Sequence, residues 1–433
     1  MYGKIAAFGL LAVANARPAV TVPLSDVVHS TVASVASTAM SAATSTDAAI
    51  ASYSTGAGIG ATGTGTAGGA ASTGAASYGA KFPLSNGFPN VQVPSSQLDT
   101  IEQQAHGTLP GPNGAPPTGL HDDTINSLAF IAFNELFEVS FFSTLVADIS
   151  ASKPGFTAGD IAPADRDTVL ANLKVIVAQE ELHALNALGA FNANTGKTIE
   201  PCTYKFPVKD FKSAIALAQT FTDVVLGTLP DIQTVAATAG DIGLIRPVGS
   251  VIGQEGEQNG FFRYFQGKVP SELPFLTASA RNFAFNAILQ NFIVTCPSQT
   301  LDFLEKPAGG IPLNETGVLT VLTKGLALED VTAKFSFSTI NPSQTKSYYE
   351  SKKSSLGFIT YVNQQNAPVS IKIMPDDIIN ISESAVTFKA SFPGQSKFLN
   401  GLTIAALTRT GDHADVDSVA ADTLFGPGLI EIN

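Results

Sequence analysis

Glu180 and His183 lie three residues apart in Gln179-Glu180-Glu181-Leu182-His183. On a helix, that spacing sets a carboxylate and an imidazole on adjacent turns of one face. They interrupt an otherwise apolar stripe of Val169, Leu173, Ile176, Glu180, His183, Ala187 and Ala190, whose steps of three and four are the helical period. A buried ionised carboxylate is costly unless it is paired or bound to a metal. Glu-x-x-His turned into a helical bundle is one half of a carboxylate-bridged two-metal site, and acids at matching depth on other helices would supply the rest.

Two further stripes carry such acids. Leu128, Ile131, Glu135, Glu138, Phe142, Leu145 and Ile149 share one face of a helix expected over 121–148, after the start signal His121-Asp122-Asp123-Thr124. Leu244, Val248, Val251, Glu255, Gln258, Phe262 and Phe265 share a face of another, expected over 244–265. The Glu180 helix is expected over 163–189, with Pro163 in its first turn and Gly189 near its end. A helix over 210–226 has Thr222 as the polar break in its stripe and Asp223 one residue off the face; Gly227 and Pro230 are expected to break or kink it. A fifth apolar helix is expected over 277–295.

The candidate ligands are therefore Glu135, Glu138, Glu180, His183 and Glu255, with Gln258 as a weak or supporting ligand. Carboxylate with imidazole suits iron or manganese, and four carboxylates balance two divalent ions, although only one imidazole is present. The competing reading is a metal-free polar layer. In it the glutamates share protons, with raised and coupled pKa values, or bond to His183 and Gln258.

Composition narrows the setting. The chain has 433 residues and a net charge of −12, with no block of Lys or Arg, so neither nucleic acid nor an anionic membrane is an expected partner. Charged residues are 14%, against about 25% in ordinary soluble domains. Residues 1–16 read as a secretory signal peptide: Lys4, an apolar run, then Ala14-Asn15-Ala16. No run appears long enough to span a bilayer. Residues 17–80 are dominated by Ser, Thr, Ala and Gly, the composition of a disordered, O-glycosylated stalk. Residues 81–119 are Pro/Gly-rich and expected to be extended. Secretion to the outside or the cell wall follows. There the two cysteines, Cys202 and Cys296, are most simply one disulfide, contributing on the order of 4 kcal/mol by closing a long loop.

From about Ile311 the period changes to two, as in Val331-Thr332-Ala333-Lys334-Phe335-Ser336-Phe337 and Val386-Thr387-Phe388-Lys389-Ala390. Residues 301–433 are expected to form an antiparallel β-sandwich. Both glycosylation sequons, at Asn314 and Asn380, lie there. Asp412-His413-Ala414-Asp415-Val416-Asp417 lacks the glycine and terminal glutamate of a calcium loop and reads as a solvated turn. Lys205, Lys209 and Lys212 read as surface. No nucleophile motif is present, and the Gly-rich runs follow no strand, so no phosphate loop is expected.

Asn134-Glu135-Leu136-Phe137-Glu138, Gln179-Glu180-Glu181-Leu182-His183 and Gly253-Gln254-Glu255-Gly256-Glu257-Gln258 together resemble the helix signatures of the ferritin-like family. The resemblance covers about residues 120–300. It is greatest to the branch of plant desiccation-related proteins and fungal secreted stress-response and late-sexual-development proteins, whose fungal members are similar in having a secretory start and a β-rich tail. The family pattern is Glu, Glu-x-x-His, Glu and Glu-x-x-His on successive helices. This chain matches at Glu135, Glu180, His183 and Glu255, and departs at Thr222 and Gln258. The resemblance implies an α+β protein, an up-down ferritin-like bundle followed by the sandwich, with a degenerate iron or manganese centre. A complete centre would support peroxide or oxidase chemistry; no catalytic residue is assigned. The alternative is a metal-free wall or matrix protein that self-associates or binds the cell wall through its stalk and sandwich.

Overall fold

The structure, a computed structural model, describes residues 77–111, 115–354 and 356–433. The signal peptide and nearly all of the stalk expected over 1–80 lie outside the described residues. Within them the protein mixes helices with antiparallel sheets.

Four long helices dominate the first half: α2 (Asp122–Ser150), α4 (Arg166–Thr195), α5 (Phe211–Ala239) and α6 (Ile245–Phe265). α2 packs along α4, α5 along α6, and α2 against α5. Their ends are chemically marked. Asp165 and Asp210 accept the backbone N–H of Thr168 and Ser213 as N-caps, and Gly196 and Gly240 close α4 and α5 in the left-handed conformation. α4 thus starts past Pro163 and runs beyond Gly189, correcting the expected 163–189 span. α2 is long and apolar enough to cross a membrane by length and composition, contrary to the expectation from sequence, but its apolar window is 83% buried inside the protein, as a core helix is.

The expected break in α5 does not occur. The helix continues through Gly227 and Pro230 because neighbouring chain covers it. Ser279 donates its backbone N–H to the Gly227 carbonyl, and a Cβ at Gly227 would lie 2.2 Å from the Thr277 carbonyl oxygen. Glycine is required by this close approach, and the packing offsets the lost proline N–H.

Two more corrections concern shorter elements. The 81–119 stretch is not wholly extended: α1 (Ser96–Ala105), capped by Ser95, buries Leu98, Ile101 and Ala105, and packs on α4. The fifth helix is shorter than expected. α7 (Arg281–Asn291) gives way to β3 (Ile293–Thr295), which joins β1 (Ser77–Tyr78) and β2 (Thr203–Phe206) in a small antiparallel sheet. The Cys202–Cys296 disulfide closes beside the β2–β3 pair. α3 (Ala158–Ile161) and α8 (Ser298–Glu305) complete this half.

The second half is a sandwich of two four-stranded antiparallel sheets. One has the order β4 (Val318–Val321), β5 (Asp330–Ser338), β9 (Val386–Pro393), β8 (Ile378–Ile381). The other has the order β11 (Thr423–Ile432), β10 (Gly401–Thr408), β6 (Phe358–Asn363), β7 (Val369–Lys372). β10 is buried at all eight positions, and its alternation divides between two cores. Leu402, Ile404 and Ala406 join the helical core, whereas Ala405 and Leu407 join the core between the sheets. This sheet is therefore the middle layer, between helices and the other sheet. β11 follows the same rule: Ile430 and Ile432 pack inside the sandwich, while the intervening Glu431 reaches the helices and lies 3.4 Å from Gln219 on α5.

Candidate metal centre

Side chains from α2, α4 and α6 meet between the helices. One carboxylate oxygen each of Glu135, Glu180 and Glu255 and a ring nitrogen of His183 lie within 4.8 Å of one another. The three glutamates are at most 1% exposed, and the His183 side chain is 15% exposed, so the imidazole is the only one of the four with any outlet to solvent.

His183 Nδ1 stands 2.9 Å from Glu180 Oε2, a hydrogen bond. It is 3.6 Å from Glu135 Oε2 and 3.9 Å from Glu255 Oε1, which is ion-pair range but too long for hydrogen bonding. Gln258 Nε2 donates to the other Glu180 oxygen at 2.7 Å. Glu180 is thus satisfied on both sides. Glu255 is not: neither of its oxygens has a hydrogen-bond partner, nor has Glu135 Oε2.

Glu138, one turn along α2, is fully buried but falls outside the four-residue set. Its Oε1 accepts from Asn134 Nδ2 at 3.0 Å, and its Oε2 has no partner. Thr222 on α5 is fully buried, and its hydroxyl makes no hydrogen bond.

Crowding acid groups in an apolar interior changes their protonation. Burial pushes Glu135 up to about 7 against the opposing pull of His183. Burial, and then the Glu180 charge among others, hold Glu255 well above the usual carboxylate range. Glu138 moves the same way, through burial and the charges of Glu255, Glu180 and Glu135. Burial alone would lower the His183 imidazole, but Glu180 and Glu135 outweigh it and hold the imidazole well above its ordinary value. The shifts of Glu135, Glu255, Glu138 and His183 all favour the protonated forms. Those protons are what a metal ion would displace.

The donor set fits a divalent transition metal by its chemistry: three carboxylates and one imidazole, with orphaned carboxylate oxygens beside them. Sequence spacing did not single out Asn134 or Gln179, which hold the surroundings. Asn134 fixes Glu138 at i+4 on its own helix, and Gln179 Oε1 accepts from Gln254 Nε2 at 3.0 Å, joining α4 to α6. The Asn134–Glu138 spacing was readable; the Gln179–Gln254 bond depends on which helices pair.

Other sequence candidates fall elsewhere. Asn314 and Asn380 are exposed. Lys209 and Lys212 are exposed and Lys205 partly so. The 412–417 segment is more ordered than a solvated turn. Asp415 caps α9 (Val416–Asp422), and His413, its side chain 2% exposed, lies 3.0 Å from Asp422. A second group of converging carboxylates, Asp223, Glu272 and Glu431, lies between α5, the segment after α6, and β11. Compared with known proteins, the chain matches no family model and no curated protein.

Proposed function

We propose that the four long helices form a ferritin-like bundle whose core binds iron or manganese through Glu135, Glu180, His183 and Glu255, with Glu138 and Gln258 as supporting groups. The protein is a secreted, metal-handling protein of stress or development. The observation that carries this reading is Glu255, wholly enclosed with both oxygens unbonded and with three other ligand atoms inside 4.8 Å. An unpaired buried carboxylate is expensive, and a cation removes the expense. A bound ion would supply Lewis acidity and, for iron or manganese, a redox couple. The chain's own residues would hold it, and partly exposed His183 marks the side from which ions and small oxidants enter. Secretion is supported by the Cys202–Cys296 disulfide, a bond that persists in oxidising compartments.

One observation favours a metal-free wall or matrix protein instead. Glu180, central to the ligand set, already accepts hydrogen bonds from Gln258 and His183. Metal content separates the two. Purified full-length protein, reconstituted with Fe(II) or Mn(II) and desalted, is expected to retain at least one equivalent by plasma mass spectrometry, and Glu180→Ala to lose it. Retention below a tenth of an equivalent, equal in the variant, would leave only the metal-free reading.

A further inference from the structure

The group at the junction of helices and sandwich differs in kind from the bundle centre. Asp223 comes from α5, Glu272 from the segment after α6, and Glu431 from β11, where alternation turns it out of the sandwich toward the helices. One oxygen from each lies within 4.8 Å of the others. Oxygens bound to one calcium at about 2.4 Å lie at most about 4.8 Å apart, and the three keep within that limit.

Clustered acids alone would show little. A non-acidic neighbour, however, is also left open. Asn259 on α6 is 4% exposed; its Nδ2 donates to Asp223 Oδ1, while its Oδ1 has no partner. The two ends of an amide exchange by a half-turn, which would face that oxygen into the cluster as a fourth ligand. Glu272 Oε1 and Glu431 Oε1 also lack hydrogen-bond partners, although the Glu272 side chain is only 1% exposed.

The cations present do not close the group. Arg263 directs Nε to the Val269 carbonyl and Nη2 to Asn433 Oδ1, and its Nη1 stands 3.8 Å from Glu272 Oε1 without a hydrogen bond. Lys268 Nζ is bonded to the neutral Gln219 Oε1 at 2.6 Å, not to a carboxylate. Were all three carboxylates ionised, Arg263 and Lys268 beside them would still leave the group a charge of −1.

We propose that Asp223, Glu272 and Glu431, with Asn259, form a second, all-oxygen site for a hard divalent cation, calcium or magnesium, which pins β11 to α5 and α6. No nitrogen or sulfur ligand is present, so the site favours these ions over those the bundle would take. Ion binding here displaces protons, since burial and the Glu272 charge hold both Asp223 and Glu431 well above the carboxylate range.

The test is titration calorimetry of the full chain, stripped with chelator, against CaCl2 and MgCl2 separately. Wild type and the bundle variant Glu180→Ala are expected to bind one equivalent of at least one ion with a Kd below about 1 mM, the weak end for extracellular calcium modules. Glu431→Gln is expected to bind it at least tenfold more weakly. If Glu431→Gln fails to fold by circular dichroism, Asp223→Asn carries the same comparison. Folded wild type that binds neither ion at 10 mM would overturn the site. So would unchanged affinity in the junction variants, or loss of binding in Glu180→Ala, which would assign the ion to the bundle.

Discussion

The bundle centre and the junction group are both buried clusters of carboxylates, yet they are held together in opposite ways. In the bundle, the acids come from helices and face one imidazole, and the least satisfied of them, Glu255, has no hydrogen bond at all. At the junction, Asp223 accepts from Gln219 and Asn259, and Arg263 stands beside Glu272. The first cluster resembles a binding site kept at a cost in stability. The second also joins two layers of the fold, and its polar contacts contribute to that union. Removing an acid should therefore help the fold in one place and harm it in the other.

The largest expected effect is at the junction. Arg263→Ala removes the buried guanidinium beside Glu272 and strands the carboxylates, at a cost of about 3–5 kcal/mol in chemical denaturation. A loss below about 1 kcal/mol would mean that the carboxylates there are fully protonated without it.

Next is a pH dependence of the bundle. Glu135 titrates near 4.5 when unfolded and about 7 when folded, so the folded state binds more protons between those values. Stability is then fully present below about pH 4.5 and is lost as pH rises through about 7, by roughly 3 kcal/mol from this group alone. His183, also raised, adds in the same direction. Urea midpoints of chelator-stripped protein should fall over this window, and Glu135→Gln should flatten the slope. A slope that survives the substitution unchanged would assign it to other groups.

A smaller effect contrasts the clusters directly. Glu255→Met replaces an unbonded carboxylate with an apolar side chain of similar size, and is expected to stabilise the metal-free protein by about 1–3 kcal/mol at pH 7.5 while lowering metal retention. Asp223→Leu should destabilise by a similar amount, because it strands the Asn259 amide and leaves that of Gln219 only its 3.4 Å contact with Glu431. Equal signs for the two would erase the distinction between the clusters.

The same contrast explains what sequence could reveal. Glu135, Glu180, His183 and Glu255 were legible because each sits on a helical stripe, where a period of 3.6 fixes which side chains share a face. Glu272 and Glu431 were not, because a loop and a strand end reach the helices only through tertiary packing. Pro230 misled for a related reason: a local breaker is tolerated where segment 277–279 covers the helix. Helix α1 was readable from Ser95, Leu98, Ile101 and Ala105, but its Pro/Gly-rich flanks hid it. The alternation of β5 and β9 was plain, whereas the division of β10 between two cores depends on a helical layer that the strand's own residues do not encode.

The most direct measurement is the metal content of the desalted full-length protein after reconstitution with Fe(II) and, separately, Mn(II), with Glu255→Met alongside. The account predicts at least one equivalent of one of these metals in the wild type and less than a tenth in the variant. Equal and negligible metal in both would contradict it, and would make the carboxylate–histidine layer a set of shared protons.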